Sequence, residues 1–250
     1  MNVPAEIEHK LYEGNLTLAE PGDQRGDQET ERSLAYKTLN GESPHLTIGE
    51  PEVLNISELL RTQGKAIPAA TKVQLQDAGF FVVRLACSFR GGKNVRIEWA
   101  RFSVSLTSEV AATSPAVAYD LHPLELYKSG LRNVKVGLTP ALNFREIDEI
   151  EASLGEYVYT FNYPQLVPVL TAAGIQESEF SWDLRETKAY PVSGPRWFHA
   201  LIKKPRAIPG LLINFNVNAD VLTPVKVFRF KLTKAERAQM TRLICKEAVV

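Results

Sequence analysis

The stretch from Phe80 to Leu106, FFVVRLACSFRGGKNVRIEWARFSVSL, decides the fold class of this 250-residue chain. Apolar residues recur at every second position on both sides of a glycine turn at Arg90–Asn94. Because strand side chains alternate between two faces, this pattern predicts an antiparallel hairpin with one buried side. The apolar positions change phase shortly after Trp99, which predicts a β-bulge near Ala100 or Arg101.

Further short apolar segments follow the hairpin and are separated by Pro and Gly. They are Ala116–Leu121, Asn133–Leu138, Glu156–Tyr163, Phe180–Arg185, Trp197–Ile202, Leu211–Val217 and Val225–Leu232. This spacing predicts a mainly β protein, a single-domain antiparallel β-sandwich of about 8–10 strands with short peripheral helices. Trp99, Trp182 and Trp197 are in phase with the apolar positions of their strands and are predicted to anchor the core.

The two ends of the chain differ from this pattern. Residues 1–33 are predicted to form an acidic, flexible leader, because segment 20–33 is rich in charges and has no large apolar residue. Residues 34–250 would then form the sandwich domain. The chain closes on a C-terminal helix predicted over residues 234–248, where Thr233 and Glu236 have the spacing of a capping box.

Composition indicates a cytoplasmic protein without membrane contact. The N-terminal residues lack the basic-then-apolar order of a signal peptide, and no apolar run approaches the length of a membrane-spanning helix. Two cysteines, Cys87 and Cys245, cannot form a disulfide framework, and Cys87 falls on the apolar side of a predicted strand.

Charge is segregated along the chain although the net charge is zero. Residues 1–60 carry 12 acidic and 4 basic side chains, whereas residues 188–250 carry 3 acidic and 12 basic ones. A basic surface of this kind can attract an acidic protein or the phosphates of a nucleic acid. The residues predicted to form the binding site are Lys203, Lys204, Arg206, Lys226, Arg229 and Lys231.

Catalytic and metal-binding patterns are weak. The four histidines are isolated in sequence, so the chain predicts neither a metal site nor a cofactor. Asp120 and His122 lie two residues apart and could share one face of a strand, which is the geometry that orients an imidazole for base catalysis. A small hydrolase or lyase that uses Asp120, His122, Asp183 and His199 is therefore one alternative.

The function that the sequence favours is non-catalytic. We expect an intracellular interaction or scaffold domain that acts within a larger assembly through its basic C-terminal surface. A protein partner is expected first, and nucleic-acid binding by the basic C-terminal third is the other alternative. The oligomeric state stays open.

Overall fold

The computed structural model describes ten parts of the chain. All structural statements below concern these residues. They are residues 7–19, 43–64, 66–92, 95–108, 114–126, 132–147, 159–165, 169–187, 191–223 and 227–245.

Most of the described residues lie in strands, and the helices are short. The strands are β1 (Lys10–Asn15), β2 (Thr17–Leu18), β3 (His45–Gly49), β4 (Glu52–Asn55), β5 (Ala78–Arg90), β6 (Arg96–Ser108), β7 (Val117–His122), β8 (Glu125–Leu126), β9 (Arg132–Leu138), β10 (Phe144–Glu146), β11 (Tyr159–Gln165), β12 (Val169–Ala173), β13 (Glu179–Arg185), β14 (Gly194–Pro205), β15 (Leu211–Leu222), β16 (Val227–Lys231) and β17 (Arg242–Ile244). The helices are α1 (Ile56–Thr62), α2 (Ala69–Asp77) and α3 (Lys234–Gln239). Within the described ranges, no helix is long and apolar enough to cross a membrane.

Three antiparallel sheets organise these strands. A six-stranded sheet has the order β1-β3-β5-β14-β7, with β4 also paired to β5, and an eight-stranded sheet has the order β2-β16-β15-β6-β13-β12-β8, with β17 paired to β15. A separate three-stranded sheet has the order β10-β9-β11. The predicted mainly β, sandwich-like architecture of antiparallel strands is confirmed.

The main core lies between the six-stranded and eight-stranded sheets. Its centre is an aromatic cluster in which the Phe198 ring stacks on Trp182 at 4.6 Å and on Phe102 at 5.5 Å, measured between centroids. Phe215 lies 5.8 Å from Phe102 on the next strand. Burial of such a side chain stabilises the fold by about 1.5–3 kcal/mol, so these rings hold the two sheets together.

The predicted bulge is present in β6, but it lies earlier than expected. The pairing register with β15 shifts where Asp220 faces Trp99 and Val221 faces Ile97, so Glu98 is the extra residue. This shift turns Trp99 to the outer face of the sheet, where it is half-buried. Trp197 also lies half-buried, on the outer face of β14. The prediction of three tryptophan core anchors is therefore correct only for Trp182.

The predicted leader is described only in part. Strand β1 pairs with β3, strand β2 pairs with β16, and Leu16 between them is buried. Residues 20–42 lie outside the described residues, and the boundary at residue 33 stays a prediction.

The C-terminal helix is shorter than predicted. The capping box of Thr233 and Glu236 is present, but α3 ends at Gln239 and residues 242–244 form β17 instead. These residues pair with Leu211–Ile213 of β15, and the backbone bonds to a sheet edge outweigh the helical periodicity of the segment.

Candidate functional site

The three-stranded sheet packs on the outer face of the six-stranded sheet. Leu138 and Leu142 of this small sheet are buried in a second core, separate from the aromatic core of the sandwich. The side chains that the six-stranded sheet and its helices contribute to this second core are Ile56, Leu60, Ala78, Phe80, Val82 and Leu201. The apolar outer face of the sandwich is thus covered by an element that belongs to neither of its sheets.

A buried carboxylate fixes the edge of the three-stranded sheet. Asp120 of β7 accepts a hydrogen bond from the backbone N–H of Phe144 at 2.6 Å and one from that of Leu121 at 2.9 Å. Burial raises the pKa of Asp120, whereas these two backbone donors lower it. The carboxylate therefore joins β7 of the sandwich to the first residue of β10.

Two buried histidines lie beside this contact. His122 of β7 and His199 of β14 face each other in the strand register, and their ring centroids are 6.4 Å apart. The Phe144 ring lies 6.1 Å from His122 and 6.4 Å from His199. Asp120, the two imidazoles and Phe144 form one cluster, which we call the β10 clamp.

Burial keeps both imidazoles of the β10 clamp neutral. Desolvation lowers the pKa of His122 to about 4. The pKa of His199 lies well below its ordinary value because of desolvation first, and then because of repulsion by the protonated form of His122 and by the charge of Arg84. A second contact outside the clamp joins the small sheet to α2, since Thr71 Oγ1 donates to Pro140 O at 2.6 Å.

Acidification is expected to weaken the fold through this cluster. An unfolded His122 takes up a proton near pH 6.5, whereas the folded one stays neutral down to about pH 4. Stability is therefore lost as pH falls through that window, by roughly 3 kcal/mol for His122 alone. The raised pKa of Asp120 has the opposite sign and offsets part of the loss at the acid end.

Urea denaturation at a series of pH values between 7 and 4 measures this effect. We expect a smaller pH slope in His122→Gln than in the parent protein, and an unchanged slope in the control His9→Gln, whose side chain is exposed. The same slope in His122→Gln as in the parent would show that the imidazole of His122 is already protonated in the fold.

The structure brings together three of the four residues predicted for a hydrolase or lyase. Asp120, His122 and His199 meet, whereas Asp183 lies on the eight-stranded sheet and binds Arg101 through two hydrogen bonds of 2.7 Å. Phe144 packs against both imidazoles. The four residues therefore do not form one site, and Asp120 instead bonds the backbone of β10. Among the described residues, no group of histidine, cysteine and carboxylate side chains could hold a metal ion.

The predicted basic binding residues that the structure places in strands are divided between two sheets. Lys203 and Lys204 belong to β14 of the six-stranded sheet, whereas Arg229 and Lys231 belong to β16 of the eight-stranded sheet. Lys226 lies outside the described residues.

Three of these basic side chains already have partners within the protein. Lys204 is fully buried and donates to the carbonyl of Ile208, so it cannot reach a partner, in contrast to the prediction. Arg206 donates to the Leu75 carbonyl at 2.8 Å, and Arg229 makes a two-bond ion pair with Asp220. A binding role for the exposed members of the set stays a prediction.

Sequence reasoning missed the residues that dock the small sheet. Phe144, Leu138 and Leu142 lie in or beside a β9–β10 turn, where Leu142 has a positive φ of 63°. The available signal was the alternation of Val134, Val136 and Leu138 in a segment too short and too isolated to belong to the hairpin pattern of the sandwich.

Comparison with known proteins gives similarity in structure only. No family model matches the chain, and no curated protein matches it in sequence. The solved delta-toxin of Clostridium perfringens is similar with a TM-score of 0.44 at 7% identity, over 76% of this chain and 81% of the toxin. A solved pore-forming protein is similar with a TM-score of 0.39 at 10% identity, over 82% and 91% of the two chains. The membrane-inserted form of the NetB toxin of Clostridium perfringens gives a TM-score of 0.32 at 8% identity, over 81% and 87%.

These matches correct the prediction of an intracellular scaffold. The solved proteins are two toxins and a pore-forming protein, one of them in its membrane-inserted form. They contradict the cytoplasmic location, the scaffold function and the absence of membrane contact. At these identities and TM-scores the similarity concerns the arrangement of strands, so the function proposed below is argued from the geometry of this chain.

Proposed function

We propose that this protein permeabilises lipid bilayers. In this proposal the three-stranded sheet leaves the outer face of the sandwich, and its segment from residue 132 to residue 165 enters the membrane as a strand pair. Several copies contribute one pair each. The observation that carries the proposal is that the small sheet shares no backbone pairing with either sandwich sheet among the described residues.

The described contacts that hold the small sheet to the sandwich include the second core, the β10 clamp and the Thr71–Pro140 hydrogen bond. The small sheet can separate from the sandwich without breaking backbone hydrogen bonds between the strands of the two main sheets. Such a unit is expected to open at a lower free energy than the sandwich itself.

The strand pair β9–β11 has the two-sided pattern that a bilayer selects. Leu138 and Val136 of β9 are buried and face Tyr159 and Phe161 of β11 in the register. The positions between them pair Gly137 with Thr160, and Lys135 with Asn162. The register therefore alternates apolar pairs with polar pairs, as expected of strands with lipid on one side and water on the other.

The length of the segment also fits. A strand that crosses a bilayer needs about 9–11 residues. The segment 132–165 contains enough residues for two such strands and a connecting turn. The acidic run of Glu146, Asp148, Glu149 and Glu151 lies between the two strands in sequence, where a polar turn would cross to the far side.

Assembly of several copies follows from the chemistry of the backbone. One strand pair in hydrocarbon would leave the N–H and C=O groups of its outer edges unbonded, which costs several kcal/mol for each group. Pairing with copies on both sides satisfies these groups. Departure of the small sheet also uncovers Phe80, Val82 and Leu201, an apolar surface on which a neighbouring copy can pack.

Dye release from phosphatidylcholine vesicles tests the proposal. We expect the purified protein to release a trapped, self-quenched dye with a steep dependence on protein concentration, because several copies must meet. The proposed activity would be refuted if the protein sediments with the vesicles but releases no dye at any protein concentration.

A charge reversal gives a sharper readout in a planar bilayer. Lys135 lies on the polar face of the strand pair, so Lys135→Glu should shift the ion preference of the conductance toward cations. The matched variant Lys231→Glu changes the same charge on the exposed face of β16 and should leave the ion preference unchanged. The same ion preference in both variants would show that Lys135 of β9 does not line the conducting pore.

A further inference from the structure

The outer face of the eight-stranded sheet carries a regular set of short polar side chains. Strands β15, β6 and β13 lie side by side, and their outward residues fall opposite one another in the register. Three rows cross these strands, namely Asn214–Ser105–Glu179, Asn216–Ser103–Ser181 and Asn218–Arg101–Asp183. With the usual spacings of a sheet, the rows cover a patch about 13 Å long and about 10 Å wide.

Longer side chains enclose part of this patch and make it a trough. Helix α3 supplies Arg237 and Ala238 at one end, and Thr241 follows the helix. The Arg101–Asp183 ion pair stands at the other end. The trough is open to solvent and has a volume of about 350 Å³, with Ser103, Ser105, Glu179, Asn214 and Asn216 on its floor. This volume is within the range of small-ligand sites.

One amide at the centre of the trough is fixed in orientation. Asn214 donates through Nδ2 to Thr107 Oγ1 at 3.2 Å and accepts through Oδ1 from Thr241 Oγ1 at 2.8 Å. These bonds hold the amide plane, so its remaining donor and lone pair are presented in one direction. The floor of the trough is thereby organised before a ligand arrives.

One buried polar group of the trough, the Nε of Arg237, has no partner among the described residues. Ser103 of the floor points outward and is only 7% exposed. Buried polar groups are nearly always hydrogen-bonded, and exceptions call for a ligand or for water.

The set of groups selects the chemistry of the ligand. Amide, hydroxyl, carboxylate and guanidinium groups together offer both donors and acceptors, and the single Glu179 offsets the single Arg237 in charge. Each hydroxyl of a neutral, hydroxyl-rich molecule can both donate and accept a hydrogen bond. Each row of the floor offers groups that can bond to such hydroxyls. An anion would be repelled by Glu179. We propose that the trough binds a neutral carbohydrate, a short oligosaccharide laid along the strands.

This site does not depend on the proposed membrane activity. It lies on the outer face of the eight-stranded sheet, whereas the three-stranded sheet covers the outer face of the six-stranded one. Failure of vesicle permeabilisation would leave the trough unaffected, and failure of carbohydrate binding would leave the strand-pair mechanism unaffected.

Binding to immobilised neutral oligosaccharides, followed by titration calorimetry with the best of them, tests the proposal. We expect Asn216→Ala and Ser103→Ala each to bind about tenfold more weakly, because each removes a hydrogen-bonding group from the floor. Both should melt near the parent's temperature, since both residues lie on the outer face of the sheet and away from the aromatic core. The control Thr171→Ala changes an exposed residue of β12 outside the trough and should bind as the parent does.

Three outcomes would overturn the assignment. If the protein binds none of the neutral oligosaccharides at millimolar concentration, carbohydrates are excluded as the ligand class. Binding of inorganic sulfate or of a sulfated polymer in preference to neutral sugars would make the trough an anion site. Binding that survives in both Asn216→Ala and Ser103→Ala would place the carbohydrate elsewhere on the protein.

Discussion

Replacement of Trp182 by alanine is expected to lower the free energy of unfolding by about 3–5 kcal/mol, the range found when a large aromatic side chain is removed from a core. Trp182 is fully buried and contacts both sheets. Its ring stacks on Phe198 at 4.6 Å and meets Phe180 edge-on at 5.7 Å, and its Nε1 donates to the carbonyl of Pro123 at 3.0 Å. The substitution removes packing and also leaves that buried carbonyl unbonded.

Chemical denaturation of Trp182→Ala and Trp99→Ala, compared side by side, measures this difference. Trp99 is half-buried on the outer face, where the guanidinium groups of Arg101 and Arg229 lie 5.5 and 5.6 Å from its ring centroid. Its loss should cost about 1 kcal/mol, which is the range of exposed cation–π contacts. A larger loss for Trp99→Ala than for Trp182→Ala would contradict the placement of the bulge in β6.

Much of the fold was predictable because the signal is local. The alternation on both sides of the Arg90–Asn94 turn predicted β5 and β6, and the change of phase predicted the bulge. Its position was not predictable, because it depends on the partner strand β15, where the register shifts between Asp220 and Val221. A displacement of the bulge by a residue or two reverses the face of Trp99, which explains the wrong core assignment.

The charges also pair in ways that the sequence conceals. The sequence shows a basic C-terminal third, but Arg229 is bound by Asp220 of the adjacent strand, and Arg101 by Asp183 of the strand on its other side. Lys204 follows the inward phase of β14 and buries its ammonium group at the end of the sandwich. A count of charges along a chain cannot anticipate pairs that strand register creates.

The candidate site could be predicted only in fragments. Asp120 and His122 are close in sequence, and His199 joins them because β14 pairs antiparallel with β7. Phe144 completes the β10 clamp from a strand of a different sheet, a contact between elements that have no common pairing. Contacts of this kind arise from packing of sheets on one another and leave no periodic pattern in the sequence.

A cross-link that prevents the small sheet from leaving should abolish membrane permeabilisation. Ala70 of α2 and Ala141 of the β9–β10 turn are the exposed neighbours in sequence of the hydrogen-bonded Thr71 and Pro140, so cysteines at these two positions can be joined by a short, cleavable bis-maleimide. The native Cys87 and Cys245 are buried, and burial raises the pKa of both thiols to about 12, so neither should react. The single variant Ala141→Cys, treated with the same reagent, controls for the modification itself.

Dye release by the double-cysteine protein before and after cleavage of the linker is the most direct test of the mechanism. The cross-linked protein should bind vesicles but release no more dye than vesicles alone, and cleavage of the linker should restore release to the level of the Ala141→Cys control. Release by the cross-linked protein at the control rate would mean that the three-stranded sheet stays docked during permeabilisation, and would contradict the account.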